Sequence, residues 1–347
     1  MAKSGTVRIL TFDNAIAESE DCNKRHLLLG NGFSIACRPN IFRYDKLFEQ
    51  ADFSTLSPTA RQAFTDLGTT DFERVIRVLR DAATILRAYG VSTNVAKRLR
   101  KDADAIKELL VQTIAKSHPE RPSDITDDEY AHCHAFLDNF DTVYTLNYDL
   151  LLYWAHMKRE KVWSDDGFRT SQDEIETFTE SDYVVWESGQ SHGANTWFLH
   201  GALHVFDTPT EVRKYTWIRT GVRLIEQIRN ALSKDYFPLF VAEGTSDEKL
   251  ERIRHSDYLA KAYRSFESIQ GCLFIYGHSL AENDEHFLKL IERGKLARLY
   301  VGIYGDPSSG ANRRIIKRAN AISLSRPARR PLKVGFYDAA TAKVWRD

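Results

Sequence analysis

The chain has 347 residues, 43% of them hydrophobic and 28% charged, enough apolar mass for a large core and unlike the composition of a disordered chain. Its 48 basic residues balance 48 acidic ones, which excludes a global field that would recruit nucleic acid or an anionic membrane, so partners must be argued from sites. Cys22, Cys37, Cys133 and Cys272 are scattered with no C-x-x-C pair, which argues against a disulfide framework or a four-cysteine zinc module and makes reduced thiols the default.

Met1 to Glu18 holds a short apolar run and early acidic residues, unlike a signal peptide, and no apolar stretch is long enough to span a bilayer. The expectation is a cytoplasmic protein with no membrane partner. His26-Leu27-Leu28-Leu29 then leads into Gly30-Asn31-Gly32-Phe33-Ser34, the form of a buried strand, a glycine turn and a helix start. Two glycines let a backbone approach an anion, and a helix start offers unpaired N–H groups. Taken alone, the turn fits a tight bend equally well, and it carries neither the third glycine of a dinucleotide fingerprint nor the lysine of a P-loop.

From about Tyr44 to Phe140 the pattern is helical. Phe72, Val75, Ile76, Leu79, Ala83, Leu86 and Tyr89 recur at helix spacing, from a Thr70-x-x-Glu73 capping box to Gly90. A second helix is expected over Asn94 to Ser117, and a third before Phe140. Residues 41–139 therefore read as a helical insertion after the first strand-turn-helix unit, inside a single domain covering 1–347.

Apolar runs at Thr142–Leu146, Thr196–Leu199, Leu239–Ala242, Cys272–Tyr276, Ala297–Tyr304 and Pro331–Tyr337 predict strands. Several precede helical patterns, notably Asp149–His156, Ser246–Tyr263, Asp284–Arg293 and Gly310–Ala321. Such alternation predicts an α/β, Rossmann-like fold, with a mostly parallel sheet covered by helices on both faces. Lys161–Ser181, rich in Asp, Glu, Thr and Ser, reads as a surface excursion.

Three strand ends carry polar groups where open α/β sheets bind ligands. Thr145-Leu146-Asn147-Tyr148-Asp149 places an amide and a carboxylate there, although Asp149 also suits the cap of the next helix. Trp197-Phe198-Leu199-His200-Gly201 brings out an imidazole, with a glycine behind it that would admit a ligand; a lone histidine in that position is more often structural. Tyr276-Gly277-His278-Ser279-Leu280 is followed by Asn283-Asp284, either of which would cap the next helix. Glu243 and Thr245 mark a further strand end with no assigned role. No metalloprotease, kinase or serine-hydrolase motif is present, and His132 and His134 lack the spacing of paired metal ligands.

In order, Gly-x-Gly-x-Ser, Thr-x-Asn-x-Asp, Leu-His-Gly and Gly-x-Ser-Leu resemble the motif series of the sirtuin-like superfamily, over Arg25 to about Asp338. The likeness is to its bacterial NAD-hydrolase branch, which includes anti-phage defence effectors. The chain also resembles an uncharacterised bacterial family with Thr-Leu-Asn-Tyr-Asp and Phe-Leu-His-Gly elements. The resemblance implies NAD as substrate, bound by Gly30, Asn31, Gly32, Phe33 and Ser34 at the pyrophosphate and by Gly277 and Ser279 on the adenosine side. It implies Asn147 and Asp149 at the nicotinamide ribose and His200 as a base or ribose contact, with no metal. Absence of a four-cysteine zinc ribbon argues against deacetylation, and Asn31 and Tyr148 replace an alanine and an isoleucine of the deacetylases. The expected activity is NAD+ cleavage to nicotinamide and ADP-ribose. Alternatives are a non-hydrolytic NAD or ADP-ribose sensor and an ADP-ribosyltransferase. Expected partners are a second defence protein or another copy through the helical insertion; direct nucleic-acid binding is not expected.

Overall fold

The computed structural model describes residues 7–346 apart from 91–92, 160–163, 171–181, 188–192, 209, 217–221, 235 and 242–245. Its centre is a seven-stranded, all-parallel sheet. The strands are β1 (Ile9–Leu10), β2 (Arg25–Leu29), β3 (Thr142–Thr145), β6 (Thr196–Phe198), β9 (Gln270–Tyr276), β10 (Lys295–Ile303) and β11 (Lys333–Asp338), in the order β1-β11-β10-β9-β2-β3-β6. Leu27, Leu28 and Leu29 of β2 and Cys272 to Ile275 of β9 are fully buried, the unbroken apolar run that a parallel strand enclosed on both faces requires. Phe274 meets Phe12, Phe140, Tyr300 and Tyr337, and Tyr144 of β3 meets Phe266.

Strand order reverses between β2 and β9. From β2 the chain builds toward β3 and β6, and from β9 it builds the other way toward β10 and β11. This is the topological switch point, the position outside the carboxyl ends of the strands where open α/β sheets bind ligands.

Between β2 and β3 lies the helical region, dominated by helices Phe72–Ala88 and Thr93–Ser117, with Asp127–Leu137 leading into β3. The first ends as expected before Gly90, whose φ of +67° suits glycine. Its start differs from expectation: Asp71, not Thr70, accepts the N–H of Arg74 as the cap, which leaves the Glu73 carboxylate free for other work.

Four further strands form a separate antiparallel sheet in the order β4-β5-β8-β7: β4 (Phe168–Arg169), β5 (Tyr183–Trp186), β7 (Val205–Asp207) and β8 (Val212–Tyr215). Of the stretch Lys161–Ser181, read as a surface excursion, residues 164–170 are described, and within them Phe168 is buried against Tyr258; the rest lies outside the described residues. Strands this short carry too little periodicity to announce themselves. The strand expected at Leu239–Ala242 reduces to an isolated bridge between Phe240 and Gly201, and Glu243 and Thr245 lie outside the described residues. The pattern over Ser246–Tyr263 divides into helices Ser246–His255 and Asp257–Glu267, broken at the extended Ser256, and helix Leu224–Leu232 was not foreseen.

The expectation of reduced thiols is corrected at one pair. Cys22 and Cys272 are joined by a disulfide across 250 residues of chain, because the segment before β2 lies against the start of β9, a proximity that sequence spacing does not reveal. Cys37 and Cys133 are free and buried. Among the described residues no helix is long and apolar enough to cross a membrane.

Candidate functional site

All four motifs collect at the carboxyl edge of the sheet, on the adjacent strands β9, β2, β3 and β6. Gly30–Gly32 and Gly277 meet face to face across the switch point. The Gly32 N–H donates to the Gly277 carbonyl at 2.8 Å, and a Cβ on Gly32 would stand 2.4 Å from the Gly277 Cα. These glycines are therefore required by two backbones packing on each other, in addition to any ligand. Phe33 is buried against Trp345, whose indole N–H donates to the Phe33 carbonyl, so it serves the core. Asn31 uses its amide to donate to the Phe42 carbonyl at 3.0 Å, and Ser279 is exposed at the loop tip.

Ser34, Asn147 and Asp149 form one buried cluster. The Ser34 hydroxyl donates to Asp149 Oδ2 at 2.5 Å and accepts from the Asn147 amide at 2.9 Å. Asp149 Oδ1 accepts the N–H of Leu151 at 2.9 Å, at the start of helix Leu151–Met157. Asp149 thus stands one residue before the Leu150 N-cap, with one oxygen on the first helical N–H and the other on Ser34. Burial raises the Asp149 carboxyl above its usual range, opposed by these two hydrogen bonds.

His200 belongs to a second cluster. Its Nε2 lies 3.4 Å from His286 Nε2 and 3.7 Å from Asp284 Oδ1, and its ring is flanked by Phe287 and, more distantly, Tyr148. The expected pairing of His200 with Asn147 is not among the contacts of the described residues; Tyr148 rests its ring on Phe240, and the single proton of its hydroxyl can go to the Val241 carbonyl at 3.1 Å or to Glu73 at 3.4 Å. Gly201 does not admit a ligand: at φ +81° it lets the Leu239 carbonyl pass where a Cβ would come within 1.9 Å.

The second cluster is ionic. Lys249 is 1% exposed, with its ammonium 3.2 Å from Asp284 Oδ1 and 3.5 Å from Glu73. Asp284 heads helix Glu285–Arg293 without capping it through its side chain. Its Oδ2 instead accepts from His278 Nε2 at 2.9 Å, a tautomer fixed by the Leu280 N–H donating to His278 Nδ1. Burial drives the His200 and His286 imidazoles well below the ordinary range, His286 to about 3, so both are uncharged near neutral pH. Burial also raises Glu73 to about 7, against the pull of Lys249.

Sequence reasoning missed Glu73, Lys249 and His286 and assigned Asp284 to a cap. One signal was present: Lys249 and Ile253 share the buried stripe of helix Ser246–His255, and a lysine on an apolar stripe needs a partner.

A cavity of about 710 Å³ lies at the opposite, amino-terminal edge, lined among others by Cys22, Lys24, His26, Thr142, Gln270 and Lys295. Its volume would suit a ligand. The polar clusters, however, lie where parallel sheets present their chemistry, and the carboxyl edge is the stronger candidate.

A sequence profile described as "Domain of unknown function (DUF4917)" matches residues 27–345. No curated protein matches the chain.

Proposed function

The chain belongs to the DUF4917 family, and from the geometry of its site we propose that it is a sirtuin-like NAD+ glycohydrolase, releasing nicotinamide and ADP-ribose. The observation that carries this reading is the Ser34-Asn147-Asp149 network, held on the segments that leave the carboxyl ends of β2 and β3, beside the switch point of a parallel sheet.

Nicotinamide departs from NAD+ as a neutral base, and positive charge develops on the ribose. The protein must face that charge with oxygen and present water. Asp149 supplies a carboxylate whose orientation is fixed by Ser34 and Leu151. Asn147 spends its N–H on Ser34, which leaves its amide oxygen to orient a ribose hydroxyl or water. His200, uncharged and beside Asp284 and His286, enters as a positioning residue rather than the base. Exposed Ile85, Tyr89 and Val95 near the junction of the two long helices support partner docking or self-association through the helical region.

The test is chromatography of NAD+ incubated with the purified protein. Nicotinamide and ADP-ribose are expected in equal amounts, and Asn147→Ala is expected to lower turnover by about 10²–10³-fold, the effect of losing one oriented polar group. Unchanged turnover in that variant removes the assignment. The burial of Asn147, Asp149 and His200, each under a tenth exposed, favours a second reading as an NAD or ADP-ribose sensor. Saturable ADP-ribose binding without product would establish it, whereas label transferred from NAD+ to protein would establish an ADP-ribosyltransferase.

A further inference from the structure

We infer that His200, Asp284 and His286 form a binding site for one divalent cation of the zinc class. The inference is independent of NAD hydrolysis. It rests first on convergence: one donor atom from each residue, two imidazole nitrogens and a carboxylate oxygen, lies within 4.8 Å of the other two. The separations of 3.4 Å between the two Nε2 atoms and 3.7 Å from His200 Nε2 to Asp284 Oδ1 approach the edge of a tetrahedral zinc site. With bonds of about 2.0–2.1 Å, neighbouring donors there stand about 3.4 Å apart.

The two facing nitrogens share one hydrogen bond at 3.4 Å, with the Asp284 carboxylate oxygen converging on the same nitrogen of His200 and the Phe287 ring beside it.

The outer contacts are those that orient ligands. His286 Nδ1 lies 3.2 Å from Ser246 Oγ, which leaves Nε2 to face inward. Asp284 is gripped through Oδ2 by the His278 N–H, so its other oxygen, Oδ1, faces both His200 and the Lys249 ammonium. Three protein ligands would leave a fourth tetrahedral position open.

Lys249 sets the affinity. Its ammonium sits 3.2 Å from the same Oδ1 that a cation would take, with Glu73 3.5 Å away as the carboxylate onto which it can withdraw. The lysine is thus a resident competitor, and removing it together with its Glu73 partner should strengthen metal binding.

The experiment uses the full chain without an affinity tag, unfolded in guanidinium and refolded with Co2+, because the ligands are buried. One equivalent of Co2+ is expected, with the visible absorption of a tetrahedral nitrogen and oxygen site, displaced by Zn2+. His200→Asn and His286→Asn should each weaken binding at least 100-fold, and Glu73→Gln combined with Lys249→Met should tighten it at least tenfold. X-ray absorption at the cobalt edge on the wild-type protein should count two imidazole ligands, a measurement that stands even where a variant fails to refold. Substoichiometric cobalt, a coordination shell without imidazole, or undiminished binding in both histidine variants would overturn the site.

Discussion

Two polar clusters share the carboxyl edge of the sheet, and they are built on opposite principles. Ser34, in helix Gly32–Cys37 after β2, and Asn147 and Asp149, just past β3, bond mainly to one another and hold one carboxylate whose charge is carried by hydrogen bonds. Glu73, Lys249, Asp284, His200, His278 and His286 come from five separated segments and balance buried charges against each other. The first is fixed by strand register, because Thr145 pairs with Leu29 and the residues beyond them must emerge side by side. The second exists only once the helices have docked. Disturbing the first should therefore act locally, while disturbing the second should act on the whole fold.

The largest effect is expected from Lys249→Met. It removes the ammonium that bridges Glu73 and Asp284 and leaves two carboxylates buried without it. Breaking a buried ion pair from one side costs about 3–5 kcal/mol, read as a lowered urea midpoint. A loss below about 1 kcal/mol would mean that the second cluster is no more integral to folding than the first.

Ser34→Ala is the corresponding cut in the first cluster. It takes the hydroxyl from Asp149 and an acceptor from Asn147, both buried. An unsatisfied buried group costs about 1–3 kcal/mol, so the destabilisation should be smaller than that of Lys249→Met. Nicotinamide release should fall as well, since Asp149 and Asn147 lose their shared anchor; full turnover in a folded variant would separate the cluster from the chemistry.

The same contrast explains what the sequence disclosed. A buried run that ends in polar residues is a local pattern, so the strands and the polar groups at their ends were legible at Asn147, Asp149 and His200. The partners of those groups were not. His200 emerged at the expected strand end yet turned toward Asp284 and His286, and Asn283 reaches Glu73 across 210 residues. Glu73 and Asp284 each had a plausible local explanation as helix-start residues, and in each case tertiary pairing took the carboxylate instead. The glycines were legible as close approaches, but backbone accounts for the approach at Gly32 and Gly201. Cys22 and Cys272 carried no local signal of their pairing.

The smallest expected effect is a pH slope that separates the clusters by titration. Glu73 is raised to about 7 by burial, with Asp284 and Asp71 adding to the rise and Lys249 opposing it; Tyr148 and Tyr44 also face it, uncharged near neutrality. Its unfolded value is 4.5. Below that value the group is protonated in both states and contributes nothing to the balance. Between 4.5 and about 7 the folded protein retains a proton that the unfolded chain has released, so stability falls as pH rises, and the full penalty is present above 7. The slope cannot exceed about 1.4 kcal/mol per pH unit for one proton. Asp149 is raised in the same direction, whereas the buried imidazoles of His26, His118, His156, His200, His204 and His286 are depressed and add stability as pH rises through their unfolded range, so the wild type alone does not isolate Glu73. Glu73→Gln removes its contribution and keeps the others. Urea midpoints at about pH 5 and pH 7.5 should show the wild type declining by about 2 kcal/mol relative to the variant across the interval. An unchanged difference between the two proteins would remove Glu73 from the proton-sensitive groups.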